Sequence, residues 1–392
     1  MDNYILYEHQ EVSGENFDKL KEHINDTPSL HEYFKKDWNK LKARHYCGII
    51  NYDGKDFYIL PKIADQDDEK NLNIFIYMLM YAYNIKAQNE QIANSKNEKS
   101  NTIFEVFIQL FVKNLFEQFQ RGVYREYITE QDNLTVLKGK YLINENLKYN
   151  FTKSKIYCEY DEFSMDNQLN QFFLYAVKIL MRFAKDKKLL KQCELVLDEV
   201  TCKEFNIDSL HVNFNRLNSR FKNSFEFAIL LLKKSIPLFE KDKKSFAFLF
   251  KMNELFEKFI AKMVKENYDN VTIPNRNKDF GGLSLRPDII KDNMIIIDCK
   301  YKCMSDNKEA STEDKYQMYV YANNFKFVNG TKIVNSTMLL YPKHLDDISK
   351  NIVLGENDKK VELKMRTIDL DFSGGYIEYI EEIKKRVEEI VR

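Results

Sequence analysis

The chain is short of the residues that break or staple a fold. Its 392 residues include only 11 glycines, 6 prolines, 6 cysteines and one tryptophan, Trp38. So little glycine and proline excludes a fibrous repeat or a low-complexity chain, and 44% apolar content with 14% aromatics calls for a packed core. The cysteines, at 47, 158, 193, 202, 299 and 303, form no CxxC pair and have no histidine at zinc-ligand spacing. That fits a reduced, cytoplasmic protein better than a disulfide or zinc framework. Net charge is missing as well: 60 Lys and Arg balance 60 Asp and Glu. A nucleic-acid partner would then need a local basic patch or help from other subunits. The longest apolar runs, such as FAILLL at 227–232, fall far short of a bilayer, and MDNYILYEHQ lacks the basic-then-apolar order of a signal peptide. A soluble protein, neither exported nor inserted in a membrane, is expected. There is no GxxxxGK[ST] loop, so any coupled nucleotide hydrolysis must be done by another protein. The six histidines (9, 23, 31, 45, 211, 344) are scattered, which disfavours Ser-His-Asp and Cys-His hydrolases. No aromatic cluster suggests a pocket for a flipped base.

Periodicity fills in the elements that are present. GIINYDGKDFYILPKI (48–63) holds two β-type runs around Asp53-Gly54, a hairpin signal, with Pro61 closing the second. Apolar residues recur at helical spacing over 72–87 and over 104–119, where Phe104, Phe107, Ile108, Phe111, Leu115 and Phe119 share a face that reads as core. The polar stretch 88–101 reads as a loop. In 121–143, Arg121, Arg125, Lys138 and Lys140 are either a DNA contact or a solvated face. Asp166 is the expected N-cap of a helix through 180. MNELFEKFIAKMVKEN (252–267) is an amphipathic helix; VTIP, LSLRPDII, MIIIDCKYK and STMLLYP read as strands, with a helix at 314–325 and another at the C-terminus.

The chemistry concentrates in LRPDIIKDNMIIIDCKYK, residues 285–302. Asp288 follows Pro287 near the end of one strand, and Asp298 stands near the end of the next. They are either solvated strand ends or a pair of hard oxygen ligands for Mg²⁺, with Mn²⁺ as substitute. Strand alternation sends Asp298 and Lys300 to one face and Cys299 to the other. Lys300 would then sit beside the ion, where it can orient or deprotonate a water and offset phosphate charge. That is what metal-assisted phosphodiester hydrolysis needs. Cys299 would contribute its backbone carbonyl at most. Glu257 lies at the edge of the apolar face of its helix: a solvated glutamate, or a further carboxylate for the ion. Gln317 is a surface residue or a donor to phosphate or water.

These features resemble the PD-(D/E)xK nuclease core, a mixed sheet flanked by helices. Four segments, MNELFEKF, LRPDII, IIIDCKYK and DKYQMYVYA, are similar to the McrC family, the nuclease subunits of McrBC-type modification-dependent restriction systems. RGVYREY, LKGKYL and CEYDEFSMDNQLN match further blocks in the same order, so the likeness runs over about residues 45–345; residues 1–45 match nothing recognisable. The resemblance implies an α/β (α+β) chain with a β-rich then helical N-terminal domain, 1–160, docking on a AAA+ GTPase partner of McrB type. A nuclease domain would follow at 161–392, its catalytic core at about 245–345. It also implies Mg²⁺-dependent cleavage of DNA carrying 5-methylcytosine, with stimulation of the partner's GTP hydrolysis. The family's metal-binding carboxylates fall on Asp288 and Asp298 and its lysine on Lys300, while Glu257 and Gln317 match less uniform positions. Cys299 stands where a small residue or threonine is common. The alternatives are a non-cleaving activator or adaptor of the AAA+ motor, and a self-sufficient nuclease without a motor.

Overall fold

The computed structural model describes residues 4–12, 15–35, 40–52, 55–64, 67–85, 103–151, 154–238, 245–274, 278–280, 282–292, 294–302, 309–325, 334, 336–343, 347–357 and 360–392. Asp53, Gly54, Trp38, Cys303, His344 and the expected loop at 88–101 lie outside them. The class is mixed α/β, as expected. The chain forms two compact units, one from Met1–Ile103 together with Ser235–Arg392, the other Phe104–Lys234. The boundary expected at 160/161 lies inside a strand of the second unit, Ile156–Ser164, and the units divide instead at 103/104 and 234/235. Long-range pairing sets the actual division: strand Tyr46–Tyr52 pairs antiparallel with strand Ser245–Lys251, Asn51 opposite Phe246. No local signal in the sequence carries such a contact.

In the first unit that pair belongs to a five-stranded sheet ordered Tyr4–Tyr7, Lys55–Leu60, Tyr46–Tyr52, Ser245–Lys251, Ser235–Leu238. The expected hairpin is present, with Tyr52 paired to Lys55 and the second strand ending before Pro61. A six-stranded sheet of the same unit is ordered Val271–Thr272, Ile289–Lys291, Ile295–Cys299, Ser336–Pro342, Val361–Ile368, Ser349–Leu354. Its central pairings are parallel and its outer ones antiparallel. Ser336–Pro342 is buried at every position, which is why STMLLYP shows no alternation. LSLRPDII, expected as one strand, is two, Leu283–Leu285 and Ile289–Lys291: Pro287 has no N–H to donate and breaks the ladder.

The helices around this sheet follow their apolar spacing. Met252–Asn267 buries Met252, Leu255, Phe256, Phe259, Ile260, Met263 and Val264, a face recurring every three or four residues. It packs on strand Ile295–Cys299 and on helices Asp68–Ala82 and Tyr376–Val391. No side chain caps its start; instead the Met252 N–H donates to the His45 carbonyl at 2.8 Å. Thr312–Asn324 is capped by Ser311 and joins the core through Met318, Tyr321 and Ala322, in one cluster with Ile296, Leu339 and Met365.

The second unit pairs Glu126–Leu134 with Ile156–Ser164 and packs helices Ile103–Gln120, Gln168–Leu180 and Lys222–Lys234. The aromatic face predicted over 104–119 is core: all six residues named above are buried. The N-cap of Gln168–Leu180 is Asn167, not Asp166, because the Asp166 carboxylate is taken by the Thr201 hydroxyl at 2.6 Å and its N–H at 2.9 Å. Lys138 and Lys140 pair with Glu162 (3.1 Å) and Glu159 (3.4 Å), which places them on a neutralised surface and not on a free basic stripe.

Candidate active site

Antiparallel register aligns the two aspartates. Ile289 stands opposite Ile297, so one residue further along Asp288 faces Asp298 across the strand pair. Asp288 Oδ2 accepts the Cys299 N–H at 2.7 Å, which fixes its carboxylate against the neighbouring strand. Cys299 gives its N–H to Asp288, and its thiol is buried, as its place on the opposite face of the strand implies. The alternation of side chains beyond the strand's end puts Asp298 and Lys300 on the same face. Lys300 Nζ lies 2.6 Å from Asp298 Oδ2, with the carboxylate 2% exposed.

Gln317 closes this pair into a triangle. Its Oε1 accepts from Lys300 Nζ at 2.9 Å, and its Nε2 donates to Asp298 Oδ1 at 3.5 Å. One helical turn later, Tyr321 OH accepts from Gln317 Nε2 at 2.8 Å and donates to the Arg286 carbonyl at 2.9 Å. The Arg286 guanidinium reaches back to Glu257 Oε1 at 3.2 Å. All five residues singled out in the sequence thus line one cleft of about 250 Å³, together with Arg286, Tyr301, Lys302, His45 and Asn253. Lys302 leaves this network at its far end, paired to the buried Asp314.

Three carboxylates face two cations here. Burial pushes the Asp288 carboxyl up, and the charges of Asp298 and Glu257 push it further. Burial likewise raises Asp298 against the pull of Lys300, and raises Glu257 against Arg286. For Lys300 burial acts downward, but Asp298, Asp314 and Asp288 outweigh it and hold the ammonium above the ordinary lysine range.

The donor set suits a hard divalent cation. It is all oxygen, carries one negative charge more than the two local cations neutralise, and contains a buried atom, Asp298 Oδ2, that receives no hydrogen bond. That oxygen has the Lys300 ammonium against it by distance, outside hydrogen-bond geometry. Among the described residues no three His, Cys, Asp or Glu side chains already converge on a common point.

The residues missed from sequence are Arg286, Tyr321, Asn253, His45 and Tyr301. Three left a trace: Arg286 adjoins Pro287-Asp288, Tyr321 is four residues after Gln317, and Asn253 is four before Glu257 on the same helix face. His45 comes from the N-terminal half, and nothing local links it to this cleft.

Fold and cleft together define a mixed α/β protein with paired carboxylates and a lysine at the ends of adjacent sheet strands. The chain belongs to the family described as McrBC 5-methylcytosine restriction system component, whose model matches residues 41–342. It is similar in structure to a chain from a half-complex of the tetradecameric assembly of Thermococcus gammatolerans McrB AAA+ hexamers with bound McrC, at TM-score 0.67 and 23% identity, covering 99% of this chain and 100% of that one. A chain of the Thermococcus gammatolerans McrBC complex is 28% identical at TM-score 0.52, over 68% of this chain and 88% of that one. No curated protein sequence matches.

Proposed function

We propose that this chain is the DNA endonuclease subunit of a McrBC-like restriction system, of the PD-(D/E)xK type, and the counterpart of McrC. The observation that carries the proposal is the Asp288–Asp298 opposition with Lys300 and Gln317 closed onto it. When bound at Asp288 and Asp298, with Glu257 within reach, Mg²⁺ supplies Lewis-acid activation of a water and of the phosphodiester. The chain's own residues do the rest. Lys300, beside Asp298 and Gln317, offsets charge on the phosphate and orients or deprotonates the water. Gln317 holds Lys300 and Asp298 at a set separation, and Tyr321 holds Gln317. Arg286 holds Glu257 at the edge of the cleft, where it would be a further carboxylate for the ion.

The partner we infer is a AAA+ GTPase of McrB type, whose GTP hydrolysis this chain stimulates. Support comes from the family and from the second unit, where Leu147 (75% exposed), Phe151 (94%), Ile143 and the Tyr127–Phe163 pair, ring centroids 5.1 Å apart, present apolar side chains to solvent. Isolated apolar residues on a surface are ordinary, but Ile143, Leu147 and Phe151 come close together in the chain, and this supports the reading that they contact the partner. Within the expected docking region, 1–160, these are the positions we propose to test first.

The test is cleavage of DNA with and without 5-methylcytosine by the chain plus its AAA+ subunit, Mg²⁺ and GTP, comparing wild type with Asp298→Ala. Methyl-dependent cleavage lost in the variant supports an endonuclease. Absence of cleavage by either form, with GTP hydrolysis still stimulated, makes the chain an activator. Cleavage without the AAA+ subunit makes it a self-sufficient nuclease.

A further inference from the structure

We propose that Glu8, in the N-terminal segment that the family match leaves out, is a positioning residue for the Lys300 end of the cleft, acting through the hydroxyl of Tyr301. The inference rests on the endonuclease reading above.

Tyr301 follows Lys300 directly, lines the same cleft and is 3% exposed. Its hydroxyl donates to Glu8 Oε1 at 2.5 Å, and the Lys62 N–H donates to the same oxygen at 3.1 Å. Glu8 is 4% exposed, and its second oxygen, Oε2, is buried without a hydrogen bond. A carboxylate in such a place is costly, and an apolar residue would fill the core better if filling were its role. The backbone holds Glu8 firmly: its N–H donates to the Leu60 carbonyl at 3.0 Å, and the His9 N–H donates to Ala43 at 3.1 Å. His9 itself stands at φ 60, in the left-handed region that non-glycine residues seldom occupy. Its ring meets the edge of His45, 4.4 Å between centroids, and His45 lines the cleft too. One strained turn thus touches two residues of the cleft wall. The Tyr301 ring also packs on Phe256, 5.8 Å away, on the helix that carries Glu257. Fixing Tyr301 fixes the residue after Lys300, whose own N–H is tied to Leu340 at 2.9 Å. The lysine's stem then starts from a rigid point, as placement to within an ångström requires.

The test uses Tyr301→Phe, Glu8→Leu, Glu8→Gln and the double variant Glu8→Leu/Tyr301→Phe in the full chain, read in two ways. With the AAA+ subunit, Tyr301→Phe and Glu8→Leu should each lower kcat about tenfold at unchanged KM for DNA. Glu8→Gln keeps the accepting oxygen and should restore nearly wild-type kcat, and the double variant should lose no more than either single one. In the chain alone, amide hydrogen exchange over 299–302 should quicken in Tyr301→Phe and Glu8→Leu but not in Glu8→Gln. Wild-type kcat and exchange in Tyr301→Phe overturn the proposal. So does a lower melting temperature in Glu8→Leu with kcat intact, which reduces Glu8 to packing. A wild-type chain that cuts nothing fells the endonuclease reading by itself, and the exchange result still decides whether Glu8 holds the Lys300 strand end.

Discussion

Asp288 and Asp298 face each other across two antiparallel strands, and Asp288 is anchored to its neighbour's backbone at 2.7 Å through the Cys299 N–H. The buried Asp298 and the half-buried Asp288, held in register with a third carboxylate nearby, repel one another unless a cation or a proton joins them. With all three ionised, the local cations, Lys300 and Arg286, leave one negative charge over. The Asp288 carboxyl, pushed up to about 8 by burial and by its carboxylate neighbours, takes a proton when no cation is there. Most of the expected behaviour of the site follows from that excess.

Neutralising either aspartate should separate activity from stability. Asp288→Asn is expected to lower cleavage by more than about 100-fold while raising the melting temperature of the cation-free chain, since a repelled buried charge is removed. Kinetics and calorimetry on the same preparation check both. A variant that loses stability along with activity would show the carboxylate to be structural.

The raised Asp288 carboxyl has a definite pH signature. Burial, then Asp298 and Glu257, lift its folded value above the unfolded carboxylate value of about 4. A group raised on folding favours the folded state most below the unfolded value, and that contribution is lost as pH rises through the folded one. Thermal stability of the cation-free chain should therefore fall as pH climbs above about 4, and the fall should be shallower in Asp288→Asn. Mn²⁺ competes with the same protons, so its affinity and its stabilising effect should grow with pH. Titrations by differential scanning calorimetry at several pH values would show this; a Mn²⁺ effect independent of pH would count against these carboxylates as ligands.

Gln317 has two acceptor–donor contacts that no shorter or charged side chain reproduces. Gln317→Ala should cost about 10–100-fold in cleavage with little change in melting temperature. Gln317→Glu should be no better, because it removes the donor to Asp298 and adds a fourth carboxylate. Lys300→Arg should also fail to support activity, since a planar fork cannot replace a compact ammonium between Asp298 and Gln317.

The exposed apolar face of the second unit gives a separate handle. Leu147→Asp and Phe151→Asp change solvated positions, so stability should move by no more than about 0.5 kcal/mol. Stimulated GTP hydrolysis by the AAA+ subunit should nevertheless fall. Unchanged stimulation in both variants would place the docking face elsewhere.

Much of the site was legible because its parts are local. A proline before Asp288, four apolar residues before Asp298, alternation carrying Lys300 to the same face, and a helix bearing Gln317 all lie within 287–317. Local signals also found the helix of Glu257. What escaped depends on distant pairing. Residues 46–52 join 245–251 in one sheet, so His45, Glu8 and the C-terminal cleft share a unit, and the boundary expected at 160 could not be right. Asp166 was misread as a cap because its partner, Thr201, lies 35 residues on, beyond any local pattern. The final strands, Ser349–Leu354 and Val361–Ile368, complete the sheet but surround no motif that would have announced them.

The most direct measurement is strand cleavage of methylated DNA by wild type and Lys300→Ala, each assembled with the AAA+ subunit, Mg²⁺ and GTP, with GTP hydrolysis followed in the same reaction. Lys300 touches the site's chemistry and lies outside the apolar docking face. The variant should hydrolyse GTP at the wild-type rate and leave the DNA uncut. Equal cleavage by both forms would contradict it, and would move the nuclease away from Asp288, Asp298 and Lys300.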